Sequence, residues 1–265
     1  MVDDLASLLN RKYLKLRQQY RHVQALVAHF SKRSLPSPRF ILFGRGRSGT
    51  TVLVNLLNSL PHLQCEGEIL HDYVPFPRLH VQGRSARSKA SGYGGKILSY
   101  QIRDVQTALD APDTFLQTLN QKEGFRILYL RRKNLLRHAL SNIRARHEQF
   151  HRKQSERPQQ RPALHVDPEH VVEWMDSSKA LRDYEHRLLN GLPHLSLTYE
   201  EHLKDPPNHQ STVDMVCEYL GIESAPAQTE YQKIAPRSLR EGVSNYDVLA
   251  EHLATTEYAK YLEET

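Results

Sequence analysis

Eight consecutive residues, Gly44-Arg45-Gly46-Arg47-Ser48-Gly49-Thr50-Thr51, constrain this chain more than any other stretch. Before them stands Phe40-Ile41-Leu42-Phe43, a short apolar run of the kind found in a strand buried on both faces. After them, Thr51 to Leu60 reads as a helix stopped by Pro61. Strand, glycine loop and helix, in that order, make a phosphate-binding βα unit. Such a loop presents unpaired backbone N–H groups and the positive end of a helix dipole, and both favour a phosphate or sulfate. Its glycines let the backbone approach the anion closely.

Gly44 and Gly49 have the spacing of the nucleotide-triphosphatase loop G-x-x-x-x-G-K-[ST]. Thr50, however, stands where the lysine would reach the β- and γ-phosphates, while Thr51 keeps the hydroxyl position. No clear Walker-B aspartate follows an apolar strand. A nucleotide kinase or triphosphatase is therefore the weaker reading. The cation sits earlier instead, at Arg47, where a transferring or leaving oxyanion could lie.

The remaining pattern is α/β. Gly95 to Tyr100, Phe125 to Leu130 and Leu195 to Tyr199 read as strands. Val105 to Leu119, Asn134 to Phe150, a stretch opening at Asp167-Pro168, Thr212 to Leu220 and a region around 246–263 read as helices. Asp167 is a cap, Pro168 suits a first turn, and Gly221 suits a helix end. Alternating strands and helices predict a three-layer P-loop-like fold with a central, mainly parallel sheet. Hydrophobic residues at 39% and charged residues at 25% suit a globular chain, and 265 residues can bury a real core. The expected organisation is an N-terminal amphipathic helix over 1–34 and one domain over 35–265, with a mobile basic loop at 151–166. Within the first segment, residues 3–31 read as a helix in which Leu9, Tyr13, Leu16, Tyr20, Val23, Val27 and Phe30 form a heptad seam. That seam suits packing on the domain's own core, a dimerisation arm, or a basic helix on a membrane surface. Cys65 and Cys217 read as reduced and buried. No apolar run reaches the length of a membrane span and no secretory signal is seen, so the expected compartment is cytoplasmic.

Arg47-Ser48-Gly49-Thr50-Thr51 resembles the [KR]-S-G-T-T loop of the sulfotransferases that use 3′-phosphoadenosine-5′-phosphosulfate (PAPS), and bacterial members in particular carry arginine first. A second motif fits: after the strand ending at Leu130, Arg131-Arg132-Lys133-Asn134 leads into a helix carrying Ser141. In that family an arginine and a serine here bind the 3′-phosphate, and Arg132 with Ser141 match, Arg131 being the neighbouring register. Gly95-Lys96-Ile97, Leu197 to Leu203, Val216 to Ile222, Asn245 to Leu249 and Glu257 to Leu262 resemble further family segments, so the likeness spans roughly residues 39–263. The resemblance implies that Arg45, Gly46, Arg47, Ser48, Gly49, Thr50 and Thr51 hold the 5′-phosphosulfate, with Arg47 stabilising the departing oxygen. It implies that Arg132 and Ser141 hold the 3′-phosphate, and Arg237 and Arg240 are counted with them. The product would be 3′-phosphoadenosine-5′-phosphate (PAP).

Transfer to a hydroxyl or amine requires a base. The candidates are Glu68 first, then His71 and Glu66, in Cys65-Glu66-Gly67-Glu68-Ile69-Leu70-His71-Asp72, unless the base lies elsewhere. Fifteen histidines show no metal-ligand spacing, and no metal is expected. A net charge of +6 suits an anionic ligand, but the basic helix after Arg131 lacks the interleaved aromatics of a nucleic-acid groove. The expected partners are a small-molecule or glycan acceptor, no nucleic acid, and a possible homodimer.

Overall fold

The apolar run at Phe40 is the centre of the molecule because alternate residues in a strand face opposite ways. Strand β1 (Arg39–Gly44) sends Phe40 and Leu42 into one core and Ile41 and Phe43 into another, all four fully buried. The computed structural model describes residues 19–30, 34–151, 162–229 and 238–263. Five strands form one sheet: β1, β2 (Leu63–Glu68), β3 (Gly92–Leu98), β4 (Phe125–Arg131) and β5 (His194–Thr198). Their order is β2-β3-β1-β4-β5, and every neighbouring pair is parallel.

Helix α1 covers residues 19–30. Helices α2 (Thr50–Asn58) and α3 (Pro77–Ala86) join β1 to β2 and β2 to β3. The short α4 (Phe115–Gln117) precedes β4, and α5 (Leu135–His151) and α6 (Pro168–Leu189) follow it. After β5 come α7 (His209–Leu220), α8 (Leu239–Gly242) and α9 (Tyr246–Ala254). Leu53, Leu57, Val213 and Val216 of α2 and α7 pack with Phe40 and Leu42. Val81, Leu116, Tyr184 and Leu188, from α3, α4 and α6, pack with Ile41 and Phe43. The architecture is thus α/β in three layers with an all-parallel sheet, as the pattern predicts. A third cluster joins α5, α6 and α9 through Leu136, Met175 and Leu249.

Several expectations need correcting. The helix expected over 105–119 is broken: Pro112 holds Ala111 extended, and only short turns around α4 remain. The C-terminal helix stops at Ala254, followed by a single turn at Ala259–Tyr261. Strand β2 and helix α3 were not foreseen. β2 is an edge strand whose Glu66 and Glu68 mask its period, and a bulge between them breaks its register against β3. Of the expected mobile loop at 151–166, residues 152–161 lie outside the described residues. Its end is packed: Leu164 bridges Val243, and the side-chain amide of Asn245 bonds both backbone groups of Val166.

The seam on α1 faces the opposite way from core packing. Tyr20, Val23, Val27 and Phe30 are more than half exposed, and His22, Ala25 and Ala28 face the domain. Small residues permit this contact, because a Cβ on Gly83 would stand 1.8 Å from the Ala25 carbonyl oxygen. The seam positions before residue 19 lie outside the described residues. Among the described residues, no helix is long and apolar enough to cross a membrane.

Gly44 is where the sheet tolerates least. Its φ is +152°, and a Cβ there would lie 2.1 Å from the Leu130 carbonyl oxygen in β4. Gly44→Ala is expected to cost on the order of 3 kcal/mol in urea unfolding, because a backbone oxygen cannot swing aside. Gly67→Ala, with open space around it, should stay within about 0.5 kcal/mol. Equal costs at the two positions would refute the close approach.

Candidate functional site

In a parallel sheet all strands end on one edge, and ligands sit where neighbouring strands send their connections in opposite directions. Here β1 leads back across β3 to β2, whereas β4 leads outward to β5. The crevice therefore opens between the ends of β1 and β4, above Gly44 and Arg131. Both motifs singled out in the sequence fall at this point.

The loop after β1 is shaped by two left-handed residues, Arg47 at φ +64° and Gly49 at φ +86°. Gly49 caps α2, where no side chain accepts from the first turn and no acidic residue lies in it. The positive end of α2 is thus aimed at the loop without a built-in carboxylate to neutralise it. A larger residue at 49 would strike Tyr199, whose ring atom lies 2.7 Å from an added Cβ. An arginine with positive φ stores about 1 kcal/mol or more of strain, which surrounding contacts must hold.

Three successive residues are held from three directions. The Arg45 guanidinium is buried, donates to the Ser178 carbonyl and hydroxyl oxygens, and lies 3.4 Å from Glu185 Oε2. The Gly46 carbonyl accepts from His138 Nε2 at 2.6 Å. The Arg47 carbonyl accepts from Arg132 Nη1 at 3.5 Å. Above these anchors the Arg47 side chain reaches α5, where its Nε donates to Ser141 Oγ at 3.4 Å. The loop arginine, Arg132 and Ser141 therefore share one space.

The two registers of the second motif separate cleanly. Arg131 has the strand parity of Tyr129 and lines a hollow with His186 and Ser196 on the α6 side. Arg132 turns to the loop, with its guanidinium 4.8 Å over the Tyr199 ring and its Nε 3.7 Å from Glu200. Burial pulls Arg132 below the usual arginine value, yet it stays a cation. Glu200 accepts from the backbone N–H groups of Lys133 and Asn134, at the entry to α5. Among the other loop positions, Ser48 and Thr50 are buried and Thr51 is exposed.

Arg45 needs revision as a ligand-binding side chain. It is 3% exposed and spent on the core, so only its backbone faces the loop. Arg240 pairs with Asp247 at 2.8 Å and stacks over Tyr246, so its contacts lie within the C-terminal segment. Arg237 lies outside the described residues.

The acceptor-side candidates lie on β2 (Glu66 and Glu68) and in the turn after it (His71), two strands from β1, which is about 10 Å away at ordinary strand spacing. Glu68 pairs in register with Lys96, and their side chains meet at 3.1 Å. Gln101 Nε2 donates to Glu68 Oε2 at 2.8 Å, and His71 Nδ1 lies 3.3 Å from the same oxygen. Gln106, almost fully buried, ties down the following loop through Val74 N and the carbonyls of Leu70 and Asp72. Glu66 is different, since Arg84 of α3 binds it through Nε at 2.7 Å and through Nη2. Glu66 and Glu68 are thus each paired with a cation, and His71 lies beside Glu68. No group of three or more metal-ligating side chains occurs among the described residues.

Sequence reasoning missed the supports. His138 lay inside the quoted motif, and its three-residue spacing from Ser141 places both on one face of α5. Glu185 and Ser178 had no local signal, because their partner Arg45 is more than a hundred residues away. Gln101 and Gln106 follow β3 in an otherwise unremarkable run.

His138 is buried against Trp174, with ring centroids 4.9 Å apart. Burial, then the nearby Arg45, Arg132 and Arg47 charges, push it down to about 3. His80 falls to about 4 through burial and the charge of Arg84. Both folded values lie below the unfolded value of 6.5, so their neutral forms stabilise the fold fully above pH 6.5. Stability falls as pH drops from there toward 4, because the unfolded chain takes up protons that the folded chain refuses. His138→Gln should remove about one proton from the uptake on unfolding in that window. Urea midpoints measured against pH test this, and parallel curves for parent and variant would refute it.

No protein-family model matches the chain and no curated protein matches it, so the reading of the site rests on its residues and geometry.

Proposed function

We propose that the protein is a sulfotransferase that moves a sulfuryl group from PAPS to a hydroxyl or amine of a small-molecule or glycan acceptor. One observation carries the proposal: Arg47 of the phosphate loop reaches Ser141 while Arg132 reaches back to the loop. A donor carrying phosphate on both the 5′ and 3′ oxygens of one ribose needs two anion sites a ribose apart, and the contact between the loop and α5 supports this reading. The threonine at position 50 withholds the lysine that a triphosphate requires. Ser48 Oγ is buried without a hydrogen-bond partner. Unsatisfied donors of this kind cost free energy until an acceptor arrives, and phosphate oxygens are strong acceptors.

The chain's own groups then divide the work. The α2 amides and the hydroxyls of Ser48, Thr50 and Thr51 hold the 5′-phosphate. Arg132 and Ser141 hold the 3′-phosphate. The acceptor oxygen or nitrogen attacks sulfur as the bond from sulfur to the phosphate oxygen breaks, and PAP leaves. Arg47 stabilises the negative charge gathering on that oxygen. The acceptor's proton passes to Glu68 or His71, whose shared contact at 3.3 Å lets either hold it.

Thermal unfolding with PAP, and separately with ATP and magnesium, tests the donor site. PAP at a hundredfold its dissociation constant should stabilise by roughly 2.7 kcal/mol, and stabilisation by ATP-magnesium alone would overturn the proposal. With labelled PAPS and a panel of alcohols, amines and sugars, Arg47→Ala should lose on the order of a hundredfold or more in turnover. Normal turnover in Arg47→Ala would remove that residue from the mechanism. Glu68→Gln should alter the pH profile of turnover, and an unchanged profile would leave the proton to His71.

A further inference from the structure

The exposed face of α1 is the opposite of what a surface helix usually presents. Amphipathic helices bury their apolar stripe and expose their polar one. Here the buried face carries His22, Ala25 and Ala28, and the stripe of Tyr20, Val23, Val27 and Phe30 is 63%, 54%, 62% and 74% exposed. The helix is held in this orientation by its close contact with Gly83 of α3 and by the stacking of His22 on His80 at 5.4 Å. Exposed apolar surface of this kind marks an interaction site.

Charge selects the occupant. No aspartate or glutamate occurs between Leu5 and Cys65, and residues 11–33 carry seven lysines and arginines. A second copy would bring an equally cationic helix against the stripe. With no acidic residue in that stretch, two such copies would repel. An anionic lipid surface has the opposite charge, is flat enough to take a stripe lying parallel to it, and suits aromatic residues at the boundary between water and acyl chains.

We propose that the outward stripe of α1 is a docking face for an anionic membrane surface. The helix lies in the interface with Tyr20, Val23, Val27 and Phe30 among the upper acyl chains. Because α1 is already fixed on the domain, docking needs no rearrangement of the sheet.

Flotation of the full chain with vesicles tests this. Phosphatidylcholine vesicles containing about a third phosphatidylglycerol should bind at least tenfold more protein than pure phosphatidylcholine, and raising the salt should weaken that preference. Val23→Glu with Phe30→Glu should abolish the excess. Val23→Ser with Phe30→Ser should reduce it, and both pairs should melt like the parent because the sites are exposed. Val248→Glu, at an exposed apolar residue elsewhere (58% exposed), should leave binding unchanged. Equal binding to both vesicle types, or full binding by the double glutamate variant, would overturn the proposal. So would light scattering that shows a dimer which the double glutamate variant splits while no vesicle is bound, since the stripe would then be a self-association face.

Discussion

The buried pair of Arg45 and Glu185 holds the rest of the site in place. Their side chains are 4% and 0% exposed, and the carboxylate also accepts from Ser99 and Tyr129 at 2.7 and 2.8 Å. Removing one member of such a pair costs about 3–5 kcal/mol, because the other is left as an uncompensated charge. The network reaches β3, β4, the loop after β1, and α6. It therefore ties the first loop residue to the helix layer beneath and sets where the next residues emerge. Tyr129 responds to the same surroundings: burial first, then the Glu185 charge, raise its phenol well above the ordinary value.

With Arg45 spent on the core, the loop's remaining options narrow. His138 takes the Gly46 carbonyl and Arg132 takes the Arg47 carbonyl. These bonds make a left-handed arginine tolerable, and its side chain reaches α5. His138 donates as a neutral ring, because burial first and then the cations around it disfavour its charged form. Strain in the loop is thus balanced by a buried charge pair on one side and a neutral histidine on the other. Tyr199 adds the spacing, lying under the Arg132 guanidinium and against Gly49.

The proposed acceptor side is built on different principles. It sits on the edge strand β2, where a bulge at Gly67 brings Glu68 opposite Lys96. Lys96 and Gln101 orient the carboxylate, and Gln106 fixes the loop that carries His71 onward. Glu66, two residues earlier, is bound by Arg84. Two carboxylates in one short strand thus acquire separate tasks from the neighbours that the sheet and α3 provide. The buried face of α1 adjoins this side of the chain through His22 and Phe76.

The strand, loop and helix at residues 39–58 were legible from sequence because each follows from local rules: an apolar run, glycine at positive φ, and a proline stop. Asp167 before Pro168, and Gly221 after α7, were legible for the same reason. β2 was not, since an edge strand buries one face and its alternating glutamates look like a loop. The seam on α1 was legible as a pattern, but which way it faced was not, because orientation depends on Ala25 meeting Gly83. The choice between Arg131 and Arg132 was likewise open until strand parity turned one toward α6 and the other toward the loop. Sequence by itself determined which backbone segments could form and which charges the site could use. Tertiary structure decided which of those charges are spent on the core, as with Arg45 and Glu66, and which are left facing the crevice. The physical reason is that partners such as Glu185 lie far away in sequence, and only packing brings them within reach.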